Sequence, residues 1–306
     1  MSIARSVLAV PASSWKMIEK ATRMAADAVF LDLEDAVAPS AKIDSRKNVV
    51  RAFTELDWTG KARTYRVNGL DTPLFYRDII DVVEPAGGSI DRIVLPKVRR
   101  PEDVITADVL LAQVEMNAGL EPGSIGLEAQ IESADGLLAS EAIARSARRL
   151  HSLVFGPGDY AASLRMPVRS IGSMDRWDEQ YSGHRFHYAM ANIVVAARAG
   201  GVRAIDGPVA DFRDLDAFRR ASLVARGLGY DGKWCIHPSQ IAIANEIFSP
   251  TAEELEWART VIEAYTAQIA VGSGALSVGN TMIDAASVEL AKVTLELGRE
   301  VGQAPP

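Results

Sequence analysis

Short apolar runs rich in β-branched residues recur along the chain and alternate with longer stretches whose apolar positions fall at helical spacing. The runs are Ser6–Val10, Ala28–Leu33, Arg63–Val67, Arg92–Leu95, Ile125–Ile131, Leu150–Phe155, Val202–Ile205 and Lys233–Ile236. Helical spacing fills the intervals at Ser14–Ala26, Ala41–Leu56, Pro73–Val83, Glu102–Asn117, Gly136–Ala147, Phe186–Ala199, Leu215–Leu228 and Ser239–Phe248. Strands alternating with helices build βαβ units around a parallel sheet. The near-continuous apolar character of the runs fits strands covered on both faces. Eight such units within about 250 residues is the size of a closed barrel. A doubly wound open sheet is the alternative, but it would place glycines directly after the first strand, and Val10-Pro11-Ala12-Ser13-Ser14 has none. The pattern predicts an α/β fold, a TIM (β/α)8 barrel over residues 1–250 with a C-terminal helical lid extension over 251–306. That extension reads as a helix at Ala252–Ala270, a glycine-rich hinge at Val271–Gly279 and an amphipathic helix at Ile283–Val301.

Composition narrows the class of protein. With 48% hydrophobic and 24% charged residues the chain is ordinary for a globular protein, and its 306 residues suffice for a real core. A net charge of −7 supplies no broad positive field, so general binding to nucleic acid or to an anionic membrane is not expected. Cys235 is the only cysteine, which removes any intrachain disulfide or cysteine-held zinc. The N-terminal apolar run stops at Pro11 and charged Lys16 and Glu19 follow, so neither a signal peptide nor a spanning helix is expected. A cytoplasmic protein is the reading.

In such a barrel the active site lies at the C-terminal ends of the strands, and polar residues gather there. The second run ends in Asp32-Leu33-Glu34-Asp35, the third in Arg66-Val67-Asn68, the fourth in Pro96-Lys97 and the fifth in Gln130-Ile131-Glu132. The sixth ends in Gly156-Pro157-Gly158-Asp159, the seventh in Asp206-Gly207-Pro208 and the eighth in His237-Pro238. Each has a plainer reading: Asp159, Glu34 or Asp35 as helix caps, Arg66 and Lys97 as ion-pair partners for these carboxylates. Together, carboxylates without cysteines or paired histidines point to a hard divalent cation held by oxygen. Glu132 and Asp159 close consecutive strands, so their side chains are placed to meet above the barrel. Glu34 and Asp35 would then hydrogen-bond metal-bound water, and the Arg66 fork suits a substrate carboxylate. His184 and His187 lack a third ligand of suitable spacing for zinc.

These stretches resemble one family throughout. Phe30-Leu-Asp-Leu-Glu-Asp-Ala-Val37, Arg66-Val-Asn-Gly-Leu-Asp71, Leu95-Pro-Lys-Val98 and Gln130-Ile-Glu-Ser-Ala-Asp-Gly136 are similar to motifs of the HpcH/HpaI aldolase/citrate lyase β family. So are Ser6–Pro11, Phe155-Gly-Pro-Gly-Asp-Tyr-Ala161, Ile205-Asp-Gly-Pro208, Gly232–Gln240 and Met282-Ile-Asp-Ala285, in order along the chain. Within the family the stretches Lys16–Lys20, Asp35–Pro39 and Val67–Thr72 look most like L-malyl-CoA/β-methylmalyl-CoA lyases. The chain departs from the commoner family residues at Ala12, Arg99 and Gly279-Asn280.

The resemblance implies a lyase that splits a 3-hydroxyacyl-CoA, malyl-CoA or β-methylmalyl-CoA, into glyoxylate and acetyl-CoA or propionyl-CoA with Mg2+, or Mn2+ in its place. By motif, Glu132 and Asp159 would be metal ligands, and Arg66 would be a catalytic clamp on the oxo-acid carboxylate. Lys97 and Pro208 would bind substrate, and Arg5 and Lys16 would lie near the CoA. Asp284 would be a catalytic carboxylate on the lid, reaching a neighbouring subunit in a homotrimer or homohexamer. Three other readings stay open on sequence alone. They are a (3S)-malyl-CoA thioesterase, a citramalyl-CoA or citryl lyase, and a scaffold that merely binds CoA esters.

Overall fold

A computed structural model describes residues 4–172, 175–181, 184–270 and 276–304. Eight parallel strands close on themselves in chain order: β1 Ser6–Pro11, β2 Ala28–Asp32, β3 Ala62–Arg66, β4 Arg92–Leu95, β5 Gly126–Ile131, β6 Leu150–Phe155, β7 Arg203–Asp206 and β8 Gly232–Cys235. β1 pairs with both β2 and β8, so no edge is left. The principal helices around this barrel are α1 Trp15–Ala21, α2 Lys42–Glu55, α3 Phe75–Ala86 and α4 Pro101–Asn117. They continue with α5 Ala134–Leu138, α6 Ser140–Ala144, α7 Pro157–Ser163, α8 Arg176–Gln180, α9 His187–Gly200, α10 Leu215–Leu228 and α11 Ile241–Ile247. The TIM barrel read from the apolar pattern is therefore present.

Local chemistry explains the departures. The stretch read as one helix at Gly136–Ala147 is split into α5 and α6, with Ser133 capping the first by accepting the Gly136 N–H at 3.0 Å. The segment before His187, which shows no helical spacing of apolar residues, holds α8. Its cap is Asp175, which accepts the Trp177 N–H while Asp178 accepts the Asp175 N–H, a reciprocal box that the surrounding polar residues obscure.

Alternation along the strands fills the interior. Val7, Ala28, Phe30, Val94, Val154, Ile205 and Trp234 point inward and form an apolar plug, with the Phe30 and Trp234 rings 4.5 Å apart. Any side chain standing directly on this plug sits on a low-dielectric floor.

Contacts divide the described residues into two compact units, 4–245 with the barrel and a second from 246 onward. In the second unit α12 (Ala252–Ala270) and α13 (Ala285–Glu300) pack with a hairpin of β9 Leu276–Val278 and β10 Thr281–Ile283. Ala258, Val261, Ile283, Val288 and Ala291 make its core. Gly279 opens the two-residue hairpin turn with φ of 58°, a conformation glycine adopts freely. The remainder of the stretch read as a hinge, residues 271–275, lies outside the described residues. Among the described residues no helix is long and apolar enough to cross a membrane.

Candidate active site

Period-two alternation carries polar side chains onto the apolar plug at the C-terminal mouth. Asp32 and Arg66 stand two residues beyond inward-facing Phe30 and Thr64, and Gln130 and Glu132 continue the inward face of β5. The Arg66 guanidinium lies over the Phe30 and Trp234 rings, 5.8 and 5.6 Å from their centroids.

Arg66 is heavily engaged. Its Nε and Nη2 donate to the two oxygens of Asp32, both at 2.7 Å, and Nη1 donates to Gln130 Oε1 at 3.3 Å. Nη1 also stands 3.0 Å from Glu34 Oε2, with no N–H aligned on the contact, so this buried oxygen has no hydrogen bond among the described residues. Burial alone would raise the Asp32 carboxyl; the Arg66 hydrogen bonds overcome it and hold it below the usual value. Burial would likewise lower Arg66, but Asp32 keeps it firmly charged. The bidentate face of Arg66 is thus taken by protein. What remains for a substrate is the outer Nη1/Nη2 edge.

Lys97 closes the other side. Its Nζ donates to Glu34 Oε1 at 2.7 Å and lies 3.6 Å from Asp35, while its backbone N–H donates to Glu132 Oε1 at 2.7 Å. The Lys97 backbone is left-handed, with φ of 55°, an uncommon state for a residue with a Cβ. That turn is what aims the N–H at Glu132. The other Glu132 oxygen accepts from Gln130 Nε2 at 2.6 Å. Beneath it Gly156 is required, because a Cβ there would collide with the Glu132 side chain. Asp159, exposed in the first turn of α7, is near enough for its charge to act on Glu132. Burial first, then Asp159 and Glu34, push Glu132 up to about 8. Burial also raises Glu34.

The mouth therefore gathers five carboxylates, Asp32, Glu34, Asp35, Glu132 and Asp159, against the two cations Arg66 and Lys97. Carboxylates in excess of cations, a buried Glu34 oxygen without a hydrogen bond among the described residues and a Glu132 carboxyl pushed up to about 8 make a donor set that suits a hard cation. Glu132 and Asp159 fit magnesium as ligands, since that ion takes one or two protein carboxylates and fills its other positions from water and substrate. Among the described residues no three His, Cys, Asp or Glu side chains form a closed metal cage.

The other expected residues are scattered. Lys16 is exposed in the first turn of α1, on the mouth side of β1, whereas Arg5 precedes β1 at the opposite face. There Nε and Nη2 of Arg5 bind the two oxygens of Asp27, both at 2.8 Å. Pro208 follows β7 and lines a cavity of about 520 Å³ with Phe155 and Pro157. Near it, the Gly207 N–H is held by Asp206 and the Ala210 N–H by the Ile171 carbonyl, while the Val209 N–H has no partner among the described residues. Asp284 lies in the second unit, where it caps α13 by accepting the Ser287 N–H and hydroxyl, both at 3.0 Å. Those bonds hold its carboxyl below the usual value. Asp32 and Gln130 were named at the strand ends from sequence but given no role, although the two-residue step back from Glu34 and Glu132 places both on the inward face.

The family pattern for HpcH/HpaI aldolase/citrate lyase matches residues 5–238. The chain belongs to the HpcH/HpaI aldolase/citrate lyase family. An L-malyl-CoA/beta-methylmalyl-CoA lyase of Cereibacter sphaeroides is 39% identical over 289 residues, 92% of this chain and 91% of the relative. The citrate lyase subunit beta of Haemophilus influenzae is 31% identical over 97% of each chain. Among solved structures, CitE of Mycobacterium tuberculosis in complex with magnesium, acetoacetate and coenzyme A matches with a TM-score of 0.74 at 26% identity, over 98% of each chain. The first two of these relatives are lyases.

Proposed function

We propose that this protein is a magnesium-dependent carbon–carbon lyase that cleaves malyl-CoA or β-methylmalyl-CoA into glyoxylate and acetyl-CoA or propionyl-CoA, reversibly. The observation that carries the reading is the cluster of buried Glu132 and Arg66 with half-buried Lys97 beside Asp159. The lyase relatives of that substrate class, and the magnesium and CoA in the CitE complex, support it.

Glu132 and Asp159 would hold the ion, which when bound supplies Lewis-acid stabilisation of charge on the substrate oxygens. Arg66 presents its outer edge to the oxo-acid carboxylate, and the Asp32 fork keeps that edge from rotating away. Cleavage passes the proton of the substrate hydroxyl to the Asp284 carboxylate, breaks the C–C bond, and leaves the electron pair on the thioester as an enolate, whose carbon then takes that proton. The Val209 N–H beside Pro208 is the donor offered to the enolate oxygen. Asp284, ionised at neutral pH, takes a proton from the acyl-CoA carbon in the condensation direction and returns it in cleavage. We assign Lys16 to the CoA side of the mouth. We place Asp284 on a lid that serves a neighbouring subunit of a homotrimer or homohexamer. Met282, Leu290 and Val293 of that unit are 69%, 72% and 64% exposed, which leaves apolar surface for a subunit contact. A cytoplasmic location fits the single, buried Cys235.

Product analysis on malyl-CoA tests the reading. Glyoxylate and acetyl-CoA in equal amounts support it. Malate and free CoA would make the protein a thioesterase, and turnover confined to citramalyl-CoA or citryl substrates would move it elsewhere in the family.

A further inference from the structure

We propose that Gln130 is a positioning residue that holds Glu132 and Arg66 as one unit. The inference rests on reading the mouth as a metal-dependent site and extends it to a residue that touches neither metal nor substrate.

The contacts form a closed ring. Arg66 Nη1 meets Glu34 Oε2 at 3.0 Å, Glu34 Oε1 accepts from Lys97 Nζ at 2.7 Å, and the Lys97 N–H donates to Glu132 Oε1 at 2.7 Å. Gln130 completes it, donating through Nε2 to Glu132 Oε2 at 2.6 Å and accepting through Oε1 from Arg66 Nη1 at 3.3 Å. Gln130 is 4% exposed, so water does not replace either bond.

The chemistry of the neighbours fixes the carboxamide in one orientation. A carboxylate only accepts and a guanidinium only donates. Turning the amide over would set its NH2 against the guanidinium of Arg66, two donors facing each other, so that contact would become repulsive. Glu132 is thereby seated on three sides, by the Lys97 N–H, by Gln130 Nε2, and by Gly156, where a Cβ would also come within 3.0 Å of Gln130 Nε2. Each Glu132 oxygen keeps a lone pair for an ion, and the plane of the carboxylate is set before the ion arrives. Partners of this kind outside the ligand sphere are worth about 10–100-fold in metal affinity.

Neither of the nearest substitutes meets both demands. Methionine matches the length and volume of glutamine but neither donates nor accepts. Asparagine keeps the carboxamide and is one methylene too short to span from Glu132 to Arg66.

Mn2+ affinity measured by EPR on substrate-free protein tests the inference, with thermal unfolding alongside. Wild type binds Mn2+. Gln130→Met is expected to bind it at least about tenfold more weakly, and Gln130→Asn, which keeps a polar group in the buried site, is expected to show the same loss if the methionine variant does not fold. Mn2+ affinity within twofold of wild type in a folded variant would overturn the positioning role while leaving the metal site intact. Wild-type protein that binds no Mn2+ would overturn the reading of the mouth itself.

Discussion

Glu132→Gln should stabilise the metal-free protein while abolishing its response to magnesium. Glu132 is 3% exposed, and folding moves its carboxyl from 4.5 up to about 8, through burial and then the charges of Asp159 and Glu34. Because the folded value lies above the unfolded one, the native state retains a proton that the unfolded chain has released. Stability therefore falls as pH rises from 4.5 through about 8, and below 4.5 nothing is lost. At about 1.4 kcal/mol per pH unit the full cost above that range is roughly 4–5 kcal/mol. A neutral carboxamide removes this cost. It also turns an NH2 toward Gln130 Nε2, which forfeits one hydrogen bond and offsets about 1–2 kcal/mol. The net gain at pH 8 is about 2–3 kcal/mol, or about 3–6 °C in Tm for a chain of this length. At pH 5 the gain is gone. Differential scanning calorimetry in EDTA at pH 5, 6.5 and 8 reads the trend, and a magnesium titration follows: wild type rises in Tm as the ion binds the native state, the variant does not. A variant no more stable than wild type at pH 8, or one that magnesium stabilises equally, would refute the reasoning.

Asp159→Asn should weaken Mn2+ binding, leave the metal-free Tm unchanged near pH 5, and raise it toward pH 8 as Glu132 loses a repelling neighbour; EPR titration reads the first and calorimetry the other two. Arg66→Lys should raise the KM for glyoxylate in the condensation assay at least about tenfold, since lysine cannot hold Asp32 bidentately and still present a second edge. Asp284→Asn preserves the cap on α13 yet should cut turnover by about a hundredfold or more with Mn2+ affinity unchanged. Near-normal turnover would remove Asp284 from the mechanism. His151 is held neutral by burial and by Arg92 and Arg203, which lower it from 6.5 to about 3. The unfolded chain takes up that proton first, so stability is lost as pH falls from 6.5 toward 3; His151→Val should flatten this acid limb by up to about 1.4 kcal/mol per pH unit in urea melts.

The barrel was legible because a covered parallel strand is a short apolar run and the helices between keep their own period. The mouth was partly legible for a related reason: strand ends are fixed once strands are found, so Glu34, Arg66, Lys97 and Glu132 could be placed at one rim. The partners that organise them were not. Asp32 and Gln130 lie inside runs read as strand, and only period-two counting from Glu34 and Glu132 shows that they face inward too. The left-handed turn at Lys97 leaves no trace in residue type, because most such positions are glycine and this one is lysine. Lys97 and Arg66 were read both as substrate contacts and as ion-pair partners of the carboxylates, and the geometry shows the ion pairs. Arg5 illustrates the converse rule: a residue just before a strand stands at the face opposite the mouth, whatever its charge.

The central claim is that Glu132 and Asp159 grip one ion beside Arg66. An anomalous difference map from crystals grown with Mn2+ and glyoxylate tests it most directly. The account predicts one peak within about 2.0–2.3 Å of both carboxylates, with the glyoxylate carboxylate against the outer edge of Arg66. A peak held by other residues, or glyoxylate bound at the mouth with no ion between those two side chains, would contradict it.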